Sequence, residues 1–356
     1  MITSSIIKVF VPATAAFVIG ILFAPILTHY LFKHKVWKKR VGKTALDGTP
    51  AVEFEKLRTT VHAGTETQTP RMGGVLIWAS VVFVTLGISL LARPFPYLER
   101  FDFFSRSQTW VPLVTLVAGA LIGFVNDLLD IHPSGERGLR LRMRLLFVTL
   151  ISSFIAWWFY VKLGMDAIGI PGDGTLYLGA FIVPLFIFVS IGLYAGGVID
   201  GIDGLAGGIF STAFMAYSGI AYFQHQIDLA AFSATVAGAV LAFLWFNIPP
   251  ARFWMTETGT MGLTLTLAVI AFMTDTPGKG YGIAALPVIA LPLVVTVFSN
   301  VIQVASKKIR GKKVFRIAPL HHHLEAIGWP SYKVTMRYWI ISIVCAIVGM
   351  TVALLK

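Results

Sequence analysis

Long apolar runs, separated by short polar connections, make up most of this chain of 356 residues. Ten of them reach about 17 residues, the length that a helix needs to cross a bilayer. None alternates apolar and polar residues as the strand of a membrane barrel does. The pattern therefore predicts an all-α, polytopic integral membrane protein with ten transmembrane helices. The expected bounds are 3–32, 72–92, 110–129, 141–163, 176–195, 204–223, 229–247, 259–274, 281–305 and 335–355.

Composition agrees with a membrane protein. Only 13% of the residues are charged, about half of the roughly 25% found in soluble domains, which excludes secreted and disordered proteins. The first run is too long for a signal peptide and has no basic leader before it. The single cysteine, Cys345, excludes an internal disulfide. The connections are too short for an additional soluble domain, so we expect residues 1–356 to form one transmembrane domain.

The basic residues predict an orientation. Of the 29 Lys and Arg residues, 22 fall in alternate connections, namely 33–71, 130–144, 196–203 (which has none), 248–258 and 306–337. Cytoplasmic connections carry such an excess, so we place these connections in the cytoplasm and both termini outside. A simpler interpretation stays open for most of these charges, because a basic residue near the surface also attracts anionic headgroups, by about 1 kcal/mol each.

Polar clusters are concentrated on this same predicted face. They are Thr69–Gly74, Asn126-Asp127 with Asp130, Asp200–Gly204, Phe246-Asn247, Thr256–Thr260 and Pro319–Glu325. The acidic residues of the outer connections, by contrast, are scattered without a pattern. Clusters that are distant in sequence but meet at one end of a helix bundle predict a single site there.

Four carboxylates lie at the ends of apolar runs, where an unpaired charge is costly. Asp200 and Asp203 are three residues apart, so in a helix they would share a face and could offer two oxygens to one ion. Hard oxygen ligands of this kind suit Mg²⁺. The alternative is that the four acids, Asp127, Asp200, Asp203 and Glu257, are helix caps or salt-bridge partners of Arg142, Arg144 or Arg252.

The glycines and histidines allow more than one interpretation. The glycines at 196, 197, 201, 204, 207 and 208 fit close packing of membrane helices, or a loop whose backbone N–H groups hold a phosphate. His321, His322 and His323 could bind a metal, donate hydrogen bonds to an anion beside the basic residues of 307–316, or lie incidentally at the surface.

The order of these motifs resembles one enzyme family. The motifs read Thr-Pro-x-Met-Gly-Gly from Thr69, Asp-Gly-x-Asp-Gly-Leu-Ala from Asp200, Phe-Asn-x-x-Pro-Ala from Phe246 and Pro-Leu-His-His-His-x-Glu from Pro319. This order is similar to that of the phospho-N-acetylmuramoyl-pentapeptide-transferases, members of the polyprenyl-phosphate N-acetylhexosamine-1-phosphate transferases. The resemblance runs from Asp47 to the end of the chain, and its most specific part is the histidine motif.

The resemblance implies a single transmembrane transferase domain in the inner (cytoplasmic) membrane, with its active site facing the cytoplasm and Mg²⁺ as cofactor. Such an enzyme moves phospho-N-acetylmuramoyl-pentapeptide from UDP to undecaprenyl phosphate in peptidoglycan biosynthesis, giving lipid I and UMP. The implied partners are the UDP-linked sugar-peptide, undecaprenyl phosphate and the lipid bilayer. A homodimer is left open, and no nucleic acid is expected.

Position by position, the resemblance also assigns roles to residues. The implied catalytic residues are Asn126, Asp127, Asp200, Asp203 and Glu257, and the implied metal ligands are Glu257 and Asp127. The implied substrate-binding residues are Thr69, Arg71, Arg144, Gly197, Asn247, His321, His322 and His323.

Several of these positions depart from the family pattern. Asn126 stands where the family has Asp, and Thr256-Glu257-Thr258-Gly259-Thr260 where it has Gly-Asp-x-Gly-Ser. Arg144 stands in place of Lys, Arg71 in place of Thr, and the stretch 194–197 lacks two asparagines. These changes put the level of activity in question more than the family.

Three other functions stay open. The first is a sister transferase that uses UDP-N-acetylglucosamine or a related sugar, and the second a catalytically weakened paralogue that serves as a lipid-phosphate-binding scaffold. A transporter is disfavoured because no inverted repeat is visible and the acids lie at helix ends. The polar stretch Val52–Gln68 is either a mobile flap or idle, and the sequence does not decide between them.

Overall fold

The computed structural model describes residues 2–37, 68–132, 138–172 and 174–355. The regular structure in these ranges is helical except for one short hairpin. The helices are α1 Ile2–Lys33, α2 Gly74–Ala92, α3 Trp110–Ile131, α4 Leu141–Lys162, α5 Ile182–Gly196, α6 Leu205–Phe223, α7 Ile227–Asn247, α8 Glu257–Met273, α9 Gly282–Ile289, α10 Leu291–Arg310, α11 Leu320–Ala326 and α12 Ser331–Leu354. The hairpin pairs β1 Ala167–Ile170 with β2 Gly174–Tyr177. Asp47, where the family resemblance begins, lies outside the described residues, and so do residues 52–67 of the polar stretch that was considered as a flap.

Each predicted apolar run contains a helix or a pair of helices, so the membrane-helical class is confirmed. Within the described ranges, seven helices are long and apolar enough to cross a membrane, and the pair α9 and α10 would make eight. Of the longer helices, α6 and α8 fall outside this count; α8 is apolar but has only 17 residues. The exact number of crossings therefore stays a prediction.

The centre of the bundle is formed by α7 and α8. Burial reaches 83% in the most apolar stretch of α7 but only 22% in that of α1. Every residue of α8 from Thr258 to Met273 is buried. A helix that is apolar on all sides belongs inside a bundle, so protein surrounds α8 on every face.

Glycines bring α3 and α8 into backbone contact. A Cβ at Gly119 would lie 2.9 Å from the Cα of Gly262, and a Cβ at Gly123 would lie 2.0 Å from the carbonyl oxygen of Glu257. Small residues of this kind let membrane helices approach closely. The end of α3, which carries Asp127, therefore lies directly against the start of α8.

Two predicted runs differ from the structure. The run 176–195 was expected to be one helix, but residues 176–177 belong to β2, a 3₁₀ turn covers Gly179–Phe181, and α5 begins at Ile182. Pro184 is thereby placed in the first turn, where no intrahelical N–H bond is lost. The hairpin is also the exception to the all-α prediction.

The run 281–305 was expected to be one span, but the chain bends by 67° between α9 and α10. The bend falls at Ala290, between Pro287 and Pro292. Pro292 occupies the first turn of α10, where its missing N–H is tolerated. Prolines on both sides of the break account for the bend, because each removes a backbone hydrogen-bond donor.

Candidate functional site

The connection between α7 and α8 crosses the start of α2 and joins it to the acidic motifs. Trp254 N–H donates to the carbonyl oxygen of Pro70 at 2.9 Å, and Gly73 N–H donates back to the carbonyl oxygen of Trp254 at 2.7 Å. Gly74 N–H continues the pattern to the carbonyl oxygen of Met255 at 3.2 Å. Two segments that are distant in sequence are thus locked together as paired strands would be. Thr69, half-buried, lies just before this contact.

Asp127 is fully buried near the end of α3, where α8 supplies its hydrogen bonds. Its Oδ2 accepts from Thr256 Oγ1 at 2.5 Å, from Thr258 Oγ1 at 2.6 Å and from Thr258 N–H at 2.8 Å. Its Oδ1 has longer contacts, with Asn126 Nδ2 at 3.3 Å and Arg71 Nη2 at 3.7 Å. One oxygen is therefore saturated, and the other is held less tightly.

Thr256 has an unusual backbone conformation at the centre of this network. Its φ is 56° and its ψ is −171°, a region populated almost only by glycine, and such strain costs about 1–3 kcal/mol. Its hydroxyl accepts from Met72 N–H at 3.1 Å, and its own N–H donates to Asp200 Oδ2 at 2.8 Å. Contacts to three motifs hold this residue in place.

Asp200 and Asp203 lie in the turn between α5 and α6, so the condition for a shared helical face is not met. Asp200 ends a 3₁₀ turn, and Asp203 accepts from Ala251 N–H and Trp254 Nε1, both at 3.0 Å. Both carboxylates therefore bind the α7–α8 connection. Burial raises the pKa of Asp200 to about 6, although its hydrogen bond from Thr256 and the Arg71 charge act in the opposite direction.

The two asparagines brace the backbone. Asn247 is buried; its Oδ1 accepts from Gly204 N–H at 2.9 Å and its Nδ2 donates to the carbonyl oxygen of Phe253 at 3.0 Å. Asn126 Oδ1 accepts from Leu139 N–H at 3.0 Å. Both ends of the Asn247 amide are thus engaged, so this residue shapes the site from behind.

Two arginines neutralise part of the acidic cluster. Arg71 Nη2 lies 3.2 Å from Asp130 Oδ2, in addition to its contact with Asp127. Arg144, at the start of α4, pairs with Glu257 through Nη1 and Oε1. The alternative that an arginine pairs with an acid thus holds for Glu257 and Arg144.

Glu257 also has an oxygen that none of the described residues pairs with. Tyr194 Oη donates to Glu257 Oε1 at 3.4 Å. Oε2 is buried and has no hydrogen-bond partner within the described part of the chain. A buried carboxylate oxygen without a partner is costly, so this atom is the one best suited to an added ligand.

The histidine triplet is divided between two sides of α11. The rings of His321 and His322 lie 4.4 Å apart and are both buried. A Cβ on Gly201 would lie within 2.8 Å of Nε2 of each ring, so the two histidines meet the Asp-Gly-x-Asp turn. His323 instead accepts from Arg316 N–H at 3.2 Å and packs on Phe315.

His322 has a fixed orientation. Its Nδ1 lies 2.8 Å from Glu325 Oε2, and Ser331 Oγ donates to Glu325 Oε1 at 2.6 Å. A carboxylate on one ring nitrogen sets the direction of the other. His322 therefore presents Nε2 toward Gly201.

The glycine-rich stretch mainly serves packing. A Cβ would meet Leu293 at Gly196, Thr260 at Gly197 and Trp339 at Gly208. Gly204 has a φ of 77°, which favours glycine, and starts α6. These contacts favour the packing interpretation for the glycines that flank the turn, while Gly201 touches the histidines.

No group of three His, Cys, Asp or Glu side chains in the described ranges has the arrangement of a complete metal centre. Mg²⁺, however, usually takes only one or two carboxylates together with waters and substrate phosphates. The unpaired Oε2 of Glu257 and the less engaged Oδ1 of Asp127 fit that smaller requirement.

Sequence reasoning missed the contacts of four residues at the site. The two threonine hydroxyls on Asp127, from Thr256 and Thr258, could have been suspected from their places on either side of Glu257. Glu325 stood in the quoted histidine motif, three residues after His322, which is helical spacing for a contact. The hydroxyl of Tyr194 carried no signal, because its contact is with a residue distant in sequence.

Comparison with known proteins identifies the chain. The family model described as glycosyl transferase family 4 matches residues 109–275. Curated phospho-N-acetylmuramoyl-pentapeptide-transferases are similar over much longer stretches. The protein from Geobacillus sp. (strain WCH70) is 36% identical over 80% of this chain and 83% of its own length. Those from Anoxybacillus flavithermus (strain DSM 21510 / WK1) and Bacillus subtilis (strain 168) are 33% and 32% identical, over 95% and 94% of both chains.

The matched range contains Asn126, Asp127, the Asp200–Gly204 turn and Glu257, and the longer matches extend beyond it to most of the chain. Identity above 30% across nearly the full length of both partners goes far beyond a shared fold. The chain belongs to the phospho-N-acetylmuramoyl-pentapeptide-transferases, membrane transferases of peptidoglycan synthesis.

Proposed function

We propose that this protein transfers phospho-N-acetylmuramoyl-pentapeptide from its UDP carrier to undecaprenyl phosphate, giving lipid I and UMP. One observation carries the proposal. Asp127, Asp200 and the start of α2 all bind Thr256 through hydrogen bonds. Arg71 and Arg144 lie at the same place and bring cations to it. Such a mixture of buried acids and arginines suits a diphosphate.

The proposed reaction is a single displacement. An oxygen of the lipid phosphate attacks the β-phosphorus of the UDP-sugar, and the bond from that phosphorus to the bridging oxygen breaks as UMP leaves. The lipid phosphate is ionised near neutral pH, so a dedicated base is dispensable. Phosphoryl transfer depends mainly on positioning and on neutralising charge, and arginines serve this purpose on phosphate oxygens.

The residues have separate roles in this proposal. Arg71 and Arg144 hold diphosphate oxygens, and His321 and His322 donate to a phosphate or to the nucleotide. Asp200 and Asp203 shape the nucleotide side through the α7–α8 connection. Thr69, Gly197 and Asn247 set the walls of the site, and Asn126 donates to Asp127.

Mg²⁺ is part of the proposal. Glu257, through its unpaired Oε2, and Asp127, through Oδ1, would hold the cation, which neutralises charge on the diphosphate. Asn126 is a neutral amide where the family pattern has a carboxylate, so the site here carries one negative charge fewer. We therefore expect weaker cation binding than with a pair of acids.

The proposal includes ten crossings, both termini outside the inner membrane and the site facing the cytoplasm. Because Cys345 is the only cysteine, a Cys345→Ser background makes the orientation easy to test. Lys279→Cys should react with a membrane-impermeant maleimide in spheroplasts, and Lys312→Cys only after lysis. The opposite result would overturn the orientation. Association of two copies stays a prediction, which sedimentation of the solubilised protein would check.

Activity is tested with purified protein in nanodiscs. Labelled UDP-N-acetylmuramoyl-pentapeptide, undecaprenyl phosphate and Mg²⁺ should yield a butanol-extractable labelled lipid. Absence of that product from a folded preparation would refute the proposal, whereas product from UDP-N-acetylglucosamine alone would indicate a sister transferase. Asn126→Asp and Glu257→Asp should then raise the rate if these departures from the family limit it.

One observation favours a second candidate, a weakened paralogue that acts as a lipid-phosphate-binding scaffold. Arg144 engages Glu257, and Arg71 approaches Asp127, so both proposed cation ligands already face a positive charge. A scaffold would bind undecaprenyl phosphate without forming product, and the same assay combined with lipid binding separates the two candidates.

A further inference from the structure

We propose that Thr256 is a positioning residue that orients Asp127 and Asp200 as one unit for the cation and the diphosphate. The inference rests on the proposed function and deepens it. Thr256 does not supply a charge itself. It acts through the two carboxylates, and it ties them to the backbone that begins α2.

The contacts of the Thr256 side chain connect two motifs. The hydroxyl has one hydrogen, which it donates to Asp127 Oδ2 at 2.5 Å, since a charged acceptor is preferred over the carbonyl oxygen of Met255 at 2.8 Å. A lone pair of the same oxygen accepts from Met72 N–H at 3.1 Å. The hydroxyl thus bridges the start of α2 and the end of α3.

The backbone of Thr256 connects a third motif. Its N–H donates to Asp200 Oδ2 at 2.8 Å. The direction of this N–H depends on the φ of 56° and ψ of −171° at Thr256. A β-branched residue is disfavoured in that region, where glycine is free of strain. Glycine would keep the N–H in place and lose the hydroxyl, which makes the two contributions separable.

This arrangement decides which carboxylate oxygens are left for ligands. Asp127 Oδ2 accepts three hydrogen bonds, two from Thr258 and the third from the Thr256 hydroxyl. Oδ1 is then turned to the side of Arg71, 3.7 Å away. Without the Thr256 hydroxyl, the Asp127 side chain can rotate about its terminal torsion. The orientation that turns Oδ1 toward Arg71 is then held less firmly.

Three variants separate hydroxyl, shape and backbone strain. Thr256→Ser keeps the hydroxyl, Thr256→Val keeps the branched shape without it, and Thr256→Gly removes both the hydroxyl and the strain. Thr266→Val is the matched control, because Thr266 is a buried threonine of α8 whose hydroxyl donates to the carbonyl oxygen of Gly262 in its own helix.

Two readouts are measured on each variant in nanodiscs. These are steady-state transfer, resolved into kcat and KM, and Mn²⁺ binding by electron paramagnetic resonance without substrates. We expect Thr256→Val to lose about a hundredfold in kcat, as a misplacement of about 1 Å does, with KM changed less. Thr256→Gly restores the glycine of the family pattern and frees the strained backbone, so its kcat should fall less than that of Thr256→Val. The Mn²⁺ dissociation constant of both variants should rise about tenfold. Thr256→Ser and Thr266→Val should stay within about threefold of the parent on both readouts.

Folding is checked by thermal melting, in which Thr256→Gly should melt close to the parent, because relief of backbone strain offsets the lost hydroxyl contacts with Asp127 and Met72. Thr256→Val or Thr256→Gly with the parent's kcat and Mn²⁺ affinity would overturn the inference. If the parent forms no lipid-linked product, the proposed function fails, and the Mn²⁺ titration still decides the role of Thr256. A parent that binds no Mn²⁺ would overturn the inference as well.

Discussion

Gly123 offers a sharp test of how the site is held together. A Cβ at this position would lie 2.0 Å from the carbonyl oxygen of Glu257 and 2.8 Å from the backbone nitrogen of Thr258. Ordinary contacts begin at 3.4 Å. Gly123→Ala therefore forces the start of α8 away from α3 by about 1.4 Å, because backbone atoms cannot rotate aside as a side chain does.

The expected loss follows from that displacement. Thr258 N–H and its hydroxyl would be drawn away from Asp127, and Glu257 would move with them. A misplacement of about 1 Å in such a site costs about a hundredfold in rate. Overpacking also costs about 1–3 kcal/mol of stability, partly offset by the gain of roughly 1 kcal/mol in helix propensity.

The assay compares kcat and melting temperature for Gly123→Ala and the control Gly87→Ala. Gly87 lies inside α2, and a Cβ there would meet nothing within 4 Å. The control should keep its activity and melt no lower than the parent. Gly123→Ala should lose about a hundredfold in kcat in protein that is still folded. Full activity of Gly123→Ala would refute the close α3–α8 contact and its role in placing the acids.

Further expectations concern other residues. Arg144→Gln removes the arginine charge from Glu257 Oε1 and should tighten Mn²⁺ binding several-fold in the resonance titration; an unchanged affinity would mean that the pair does not compete with the cation. Asn247→Ala leaves two buried backbone groups unpaired and should lower unfolding stability by about 2–3 kcal/mol, seen as a lower melting temperature; an unchanged melting temperature would contradict its bracing role. Burial raises the pKa of Asp275 to about 6 from 3.8, so the native state binds its proton more tightly and this residue's stabilisation is present at low pH and lost as pH rises through 6. The melting temperature of the parent relative to Asp275→Asn should therefore be higher at about pH 5 than at about pH 7, and a difference independent of pH would contradict that shift.

The helices could be predicted because the bilayer imposes a length on each apolar run. The predicted 229–247 and 335–355, for example, differ from α7 and α12 by only a few residues. The hairpin at 167–177 escaped prediction. Its strands have four residues each; burial alternates only along β1, and β2 is exposed throughout, so the alternation is too short to stand out in the sequence.

The meeting of the acids at one end of the bundle was predictable. Each acid stands at the end of an apolar run, and the basic connections predict that those ends lie on the same side of the membrane. The hydrogen-bond partner of each acid was not predictable from the sequence. Asp203 could have shared a cation with Asp200, but it accepts from the N–H groups of Ala251 and Trp254. That choice depends on the course of the α7–α8 connection. The strained backbone of Thr256 likewise has no sequence signal, since threonine disfavours that conformation and only tertiary contacts impose it.

The same limit explains the histidines. Three consecutive residues on a helix point in different directions, since each step turns by about 100°. His321 and His322 face the turn at Gly201, whereas His323 faces Arg316. The helical step of about 100° is thus unfavourable to a cluster of all three histidines, but only the fold shows which two remain together.

Release of UMP is the most direct measurement of the central claim, that the buried acids act as one site on a diphosphate. Purified protein with UDP-N-acetylmuramoyl-pentapeptide and Mg²⁺ should release UMP only when undecaprenyl phosphate is added, in amounts equal to the lipid product. Asp127→Asn, which keeps the shape of the side chain, should reduce that release by at least about a hundredfold in folded protein. UMP release by Asp127→Asn at the parent's rate, or none from the folded parent, would contradict the account.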